Sequence, residues 1–368
     1  MILTKKLIDN SYLARYLLLN SVDILDYRVF PSRTIENSTP TFFFPSPTDG
    51  ETLTLTLNQA VPANAQEQHP ETIDGYLNRN GTVAFLIIKD DQLLFERYYN
   101  GYKHASICTS FSTAKSFVSA MVGVALHEGL IQQLDDPITK YLPELNGIHW
   151  SCITIRHLVS MSSGIRYNQS GFLPWDDQPR IYYTHDIRQL AKHARRSGEP
   201  GLHFQYNNYN LVLLGMILER VTSSTVSAYL QEKIWKPLGM EYPATWSLDS
   251  QQSGMEKMES GLNARAIDFT KFGRLYLHNG NWDGKQIIPE SWVLESTTAA
   301  TDAKWTNYKY LWWLPRSGKG RFMAVGNLGQ FIYVAPDKDA IILRFGRGKP
   351  KNWQMVYPQL FNSILDLI

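Results

Sequence analysis

The chain has 368 residues, of which 43% are hydrophobic, 19% charged and 12% aromatic, a balance that excludes an intrinsically disordered chain and leaves room for a large core. Thirty-six basic residues against thirty-four acidic ones leave a net charge of +2, which argues against nucleic acid or an anionic membrane as the main partner. The two cysteines, Cys108 and Cys152, can build neither a disulfide framework nor a four-cysteine zinc site.

No stretch reaches the roughly 18 to 20 uninterrupted apolar residues of a membrane span, so no stable membrane insertion is expected. Lys5 and Lys6 precede an apolar passage from Leu7 to Val22, but Asp9, Asn10, Arg15 and Asn20 interrupt it. That pattern predicts an amphipathic helix of the mature chain rather than a secretory leader; the expected compartment is the cytoplasm, or the periplasm if a leader has been removed. A Pro-rich loop from Pro31 to Pro47 follows, carrying Phe42, Phe43 and Phe44, an aromatic triplet expected to pack onto the domain. Thr52 to Leu57 alternates Thr and Leu and predicts a short half-buried strand. Val83 to Ile88 and Leu93 to Tyr99 flank the polar turn Lys89-Asp90-Asp91-Gln92 and predict a hairpin.

From Ser112 to Leu130 the pattern becomes a helix apolar on nearly every side, as expected of an element in the centre of the protein. Ile155 to Met161 predicts a short helix and Tyr209 to Val221 a second core helix. Short strands are expected at Tyr310 to Leu314, Phe322 to Val325, Phe331 to Ala335 and Ala340 to Phe345, before a closing helix from Trp353 to Ile368. The order strands, helices, strands predicts an α/β (α+β) fold whose antiparallel sheet is assembled from both chain ends around a helical insertion. The expected division is an N-terminal extension over 1–75, a sheet domain over 76–111 plus 255–368, and a helical domain over 112–254.

The sharpest local feature is Ser112-Thr113-Ala114-Lys115. A Ser in the first turn of a helix and a Lys three residues on share one face, so a desolvated amine can take the hydroxyl proton while helix N–H groups face a developing oxyanion. Spacing alone favours a helix-capping Ser beside a surface Lys; the almost wholly apolar helix changes that balance, because it makes solvation of the Lys difficult. Tyr206-Asn207-Asn208 lies in a polar loop before the second core helix, where a Tyr can shuttle a proton and an Asn amide can hold a carbonyl, or both can simply cap and pack. Gly326-Asn327-Leu328-Gly329-Gln330 reads as a bulge at a strand end or as a place where a ligand approaches the backbone.

In this order and approximate spacing the three features resemble the serine hydrolases of β-lactamase fold: the class C β-lactamase, D-alanyl-D-alanine peptidase and esterase family, and most closely its 6-aminohexanoate-dimer hydrolase-like members. The similarity continues collinearly through SFSTAKSFVSAMVGVALHEGLIQQLDDPITKYLPEL (110 to 145), ITIRHLVSMSSGI (153 to 165), YNNYNLVLLGMILERV (206 to 221), PLGM (237 to 240), GLNARAIDFTKFGRLYLHNGNWDGKQIIPESWV (261 to 293) and YLWWLP (310 to 315). The resemblance implies that Ser112 is the acylated nucleophile, Lys115 its base partner, Tyr206 the proton-exchanging tyrosine and Asn208 the group that orients the substrate amide. It also implies that the N–H groups of Ser112 and Asn327 form the oxyanion hole, with Gly326 beside them. No cofactor or metal is implied.

The family's third motif usually reads Lys-Thr-Gly or His-Thr-Gly and falls here on Ala324-Val325-Gly326. The cation that helps hold a substrate carboxylate is therefore missing there, which argues against β-lactamase or D-amino peptidase activity. Arg344, Arg347, Lys349 and Lys351 read as a solvated face, or alternatively as a replacement for that cation. Trp175, Asp176 and Asp177 fall where family members build the substrate pocket and are candidate contacts, whereas Asp135 and Asp136 read as turn and surface positions. No Gly-x-Ser-x-Gly elbow, His-Glu-x-x-His or Gly-x-x-x-x-Gly-Lys motif is present. The expected activity is hydrolysis of a small ester, amide or short peptide through an acyl-serine. The alternative of another class is an idle penicillin-binding-like protein that senses such a ligand, and the four motif side chains argue against it.

Overall fold

The computed structural model describes residues 11–19, 22–46, 51–62, 72–145, 147–169, 173–299, 307–315 and 319–368. The principal helices, in chain order, are α1 (Tyr12–Leu19), α2 (Glu51–Leu57), α3 (Ala114–His127), α4 (Ile155–Val159), α5 (Asp177–Tyr183), α6 (Asn208–Thr222), α7 (Ala266–Leu277) and α8 (Trp353–Leu367). The main sheet is built from β1 (Thr82–Lys89), β2 (Gln92–Tyr98), β3 (Tyr308–Lys309), β4 (Trp312–Trp313), β5 (Phe322–Gly326), β6 (Gln330–Ala335) and β7 (Ala340–Gly346).

Its order is β2-β1-β7-β6-β5-β4-β3, and every pairing is antiparallel. The early hairpin docks directly on the last strand, with Leu86 opposite Leu343 and Ile88 opposite Ile341, so both chain ends close one sheet. Side chains alternate across it as the strand period requires. Ala84, Leu86, Ile88, Ile332, Val334, Ile341 and Leu343 join the larger core with Phe117, Phe269 and Phe272 of α3 and α7. Phe85, Ile87, Phe331, Tyr333 and Ile342 pack instead on Tyr357, Leu360, Phe361 and Ile364 of α8. A strand buried on both faces needs an unbroken apolar run, as Val83 to Ile88 supplies.

Helix α3 runs through the larger core and is buried at every residue from Ala114 to Ala125; α6 packs beside it, buried from Tyr209 to Leu218. Burial of each such Leu, Ile or Phe contributes about 1.5–3 kcal/mol, so the start of α3 is held on a rigid frame.

Several sequence expectations are corrected. Residues 52–57 lie in helix α2: Leu53 and Leu57, four apart, face the α8 cluster, while Leu55, which a strand would place on the same side, is exposed. Tyr310 to Leu314 is not one strand, because Tyr310 and Leu311 have left-handed φ of 40° and 69° and turn the chain between β3 and β4. Asp136 is buried, accepting hydrogen bonds from the Tyr141 hydroxyl at 2.6 Å and Lys140 Nζ at 2.9 Å. Arg344 is no part of a solvated face: its guanidinium is fully buried and donates to Thr82 Oγ1 and to the carbonyls of Leu328, Gly329, Asn80 and Gly348.

A second sheet joins Ser32–Ile35, Ala244–Ser247, Leu262–Arg265 and Ile107–Thr109 in that order. Its strands have three or four residues each, too few for periodicity to reveal. The expected N-terminal helix over Leu7 to Val22 is described only as α1, and Lys5, Lys6, residues 7–10 and 20–21 lie outside the described residues. Among the described residues no single helix is long and apolar enough to cross a membrane.

Candidate active site

The strand Ile107–Thr109 delivers the chain to a short 3-10 turn, Phe111–Thr113, that runs straight into α3. Phe111 is buried with a left-handed φ of 46°, a conformation uncommon for a bulky residue that the surrounding core holds in place. Ser112 follows at the mouth of a cleft of about 110 Å³, lined also by Asn208, Glu259, Ser260 and Asn327 together with the rings of Tyr182 and Tyr183. A larger cavity of about 860 Å³ beside Arg28, Phe30 and Gln251 holds none of the motif residues.

One turn into the helix, Lys115 is buried and its Nζ donates to Ser112 Oγ at 2.9 Å and to the Glu259 carbonyl at 2.7 Å. The ammonium also faces the Tyr206 ring, 4.9 Å from its centroid. Loss of hydration pushes the lysine down to about 7, against the opposing pull of the Glu259 charge. The neutral amine that a base requires is therefore populated near neutrality.

Tyr206 is half-buried, its ring edge-on to Tyr308 and stacked on Trp313, both centroids 5.9 Å away. Burial raises its pKa, with the Ser112 hydroxyl pulling the other way; at neutral pH it is a phenol able to give a proton as well as relay one. Asn207 caps α6 by accepting from Tyr209 N at 3.0 Å and ties the loop to the Ile165 carbonyl at 2.8 Å. This frees the next residue to face the cleft. Asn208 Nδ2 rests on the Tyr167 hydroxyl at 3.0 Å, while its buried Oδ1 has no partner among the described residues.

The third wall comes from the end of β5. A Cβ on Gly326 would lie 2.5 Å from the Ser110 carbonyl oxygen, so only glycine lets this strand approach the nucleophile turn so closely. That contact sets Asn327 in the cleft with Ser112. Asn327 Oδ1 accepts from Lys349 Nζ at 3.0 Å, and Lys349 covers the Trp353 ring at 4.8 Å. The basic cluster is thus divided: Arg344 is a buried clamp, and Lys349 stands at the cleft rim.

The fold brings Ser112, Lys115, Tyr206, Asn208, Gly326 and Asn327 together. Trp175 is 68% exposed and is not among the side chains lining the cleft. Asp176 is buried and ties Asn168 and Leu173 N, and Asp177 accepts from the Tyr209 hydroxyl at 2.9 Å; both brace the loop before α5. Sequence reading missed Glu259 and Tyr167. Neither lies in a recognisable motif; Glu259 stands in a mixed stretch, Met255 to Leu262, that also holds Glu256, Lys257 and Ser260 and carries no pattern pointing to a site.

The Beta-lactamase family model matches residues 71–357. Among curated relatives, 6-aminohexanoate-dimer hydrolase from Paenarthrobacter ureafaciens is 27% identical over 294 residues, covering 73% of each chain. A Beta-lactamase from Escherichia coli is 27% identical over 135 residues, 37% of this chain and 33% of that one. Among solved structures, a Bacillus anthracis protein provisionally described as a 6-aminohexanoate-dimer hydrolase superposes with a TM-score of 0.81 at 23% identity, covering 98% of this chain and 96% of its own. EstCE1, a hydrolase with promiscuous acyltransferase activity, gives 0.65 at 14% identity over 85% of this chain and 99% of its own; both likenesses concern the fold. With a match over most of its length, the chain belongs to the Beta-lactamase family of hydrolases.

Proposed function

We propose that this protein is a serine hydrolase that cleaves a small ester or amide through an acyl-enzyme on Ser112. The observation that carries the reading is Lys115 Nζ at 2.9 Å from Ser112 Oγ, with the lysine buried and held on a backbone carbonyl. Ser112 Oγ attacks the substrate carbonyl carbon as its proton passes to neutral Lys115, with Tyr206 beside it. The tetrahedral oxyanion lies between the N–H groups of Ser112 and Asn327, where preorganised donors stabilise charge that develops only in the transition state. Tyr206 gives a proton to the departing alcohol or amine and is reprotonated by Lys115, and the neutral amine so regenerated then takes a proton from water, whose attack releases the acid while that proton returns to Ser112 Oγ.

The two 6-aminohexanoate-dimer hydrolase names, matched over 73% and 98% of this chain, favour a linear amide over a β-lactam, and the missing third-motif cation favours the same choice. Lys349 at the rim supports a substrate with an anionic group near the scissile bond. A screen of short-chain esters, D-amino-acid amides, linear amide dimers and a chromogenic cephalosporin tests the reading. Turnover of esters or linear amides that vanishes in Ser112→Ala is the expected result, and no turnover of any of the four by folded protein would overturn it.

A further inference from the structure

Glu259, whose backbone holds Lys115, pairs through its carboxylate with a second buried lysine, Lys257. Glu259 is 2% exposed; its Oε1 accepts from Ser260 Oγ at 3.0 Å and stands 3.6 Å from Lys257 Nζ, while its Oε2 has no hydrogen-bond partner among the described residues. Lys257 is 1% exposed. It donates to the Tyr182 carbonyl and lies over the rings of Phe30 and Tyr182, 4.4 and 4.3 Å from their centroids. The same residue, Glu259, uses its backbone carbonyl to hold Lys115 Nζ at 2.7 Å. A buried ion pair is expensive to assemble and adds little stability over a well-packed apolar pair, so its position against the proposed base suggests another use.

We propose that Glu259 and Lys257 are positioning residues that set the proton affinity of Lys115, Glu259 favouring its protonated form and Lys257, paired with that carboxylate, opposing it. The inference rests on the reading of Lys115 as the base of Ser112. Other charged and titratable groups face the cluster from each packed element. Tyr206 and Tyr167 feel the Glu259 charge from the cleft side, and Tyr182 from α5. Arg15 from α1, Asp26 from the N-terminal segment and Asp249 face Lys257. Asp26 itself accepts from the Tyr182 hydroxyl. The 2.7 Å contact ties Lys115 to the Glu259 backbone, and the carboxylate of the same residue acts on the amine through space. In so dry a site an uncompensated charge nearby moves a neighbour by about one unit or more.

The two members of the pair therefore have opposite signatures. Glu259→Gln leaves Lys257 uncompensated and makes Lys115 easier to deprotonate, so the acidic limb moves down by about one pH unit. Lys257→Met leaves Glu259 uncompensated and moves the limb up by a similar amount, while Glu259→Asp keeps the charge and the wild-type midpoint. The readout is the pH dependence of the rate at which a fluorophosphonate labels Ser112, with circular dichroism to confirm folding. Opposite shifts are the expected result; a merely structural role would slow labelling without moving midpoints in opposite directions. Midpoints that coincide with wild type, or move with the wrong sign in either folded variant, overturn the proposal, and one folded variant is enough because the sign decides. If wild-type Ser112 does not react at any pH, the proposed function fails and this inference with it, an outcome distinct from a labelled wild type with immovable midpoints.

Discussion

Lys115 Nζ lies 2.9 Å from Ser112 Oγ across one turn of a helix that is buried around both. In water that lysine would be a cation over the whole physiological range. Here burial brings it to about 7, so a neutral amine stands beside the Ser112 hydroxyl near neutrality, as the proposed mechanism requires. The acidic limb of kcat/KM should accordingly fall near pH 7, with activity dropping about tenfold per unit below it. A pH–rate profile on a p-nitrophenyl ester checks this, and a flat profile from pH 5 to 8 contradicts it.

The same shift has a consequence for stability. Between about 7 in the folded state and about 10.4 unfolded, the unfolded chain binds the proton that the folded chain lacks, so stability rises with pH through that window. The cost of charging Lys115 is fully present below pH 7. Lys115→Met should therefore be inactive yet more stable than wild type, with a larger gain in urea midpoint at pH 6 than at pH 10.

In the proposed mechanism Tyr206 transfers a proton, and burial keeps its phenol protonated. Tyr206→Phe keeps the ring contacts with Tyr308 and Trp313 and should lower kcat by about 10²–10⁴ with little change in urea midpoint. A loss under threefold would remove Tyr206 from the mechanism.

At the rim, Lys349 Nζ rests on Asn327 Oδ1 at 3.0 Å. Lys349→Ala should raise KM for carboxylate-bearing esters about three- to tenfold, a modest effect because the side chain is exposed, while leaving neutral esters unchanged. Equal effects on both would mean that this lysine only braces Asn327.

Arg344 is a separate matter of stability. Its guanidinium satisfies four carbonyls and the Thr82 hydroxyl, so Arg344→Met should cost about 3 kcal/mol or more in urea unfolding by leaving buried acceptors unpaired. An unchanged midpoint would mean that those carbonyls find other donors.

Much of this was legible in the sequence because it depends on local patterns. The unbroken apolar run of α3, the hairpin of β1 and β2 and the spacing of Ser112 and Lys115 each express a period or an offset that one segment carries alone. The hidden parts depend on segments far apart in the chain. Glu259 and Lys257 meet Lys115 only through the fold, and the second sheet is assembled from four short pieces between residues 32 and 265. Charge was the poorest guide: Arg344 and Asp136 read as surface residues, yet both are buried where backbone or hydroxyl partners satisfy them. In α2 the Thr-Leu alternation suggested a strand, but Leu53 and Leu57 satisfy the core equally well at helical spacing.

The most direct test of Ser112 as an acylated nucleophile is peptide mass spectrometry after treatment of folded protein with a fluorophosphonate. The expected result is one adduct, on the peptide containing Ser112, absent in Ser112→Ala and strongly slowed in Lys115→Met. An unlabelled wild type that is folded, or an adduct that persists in Ser112→Ala, would contradict it.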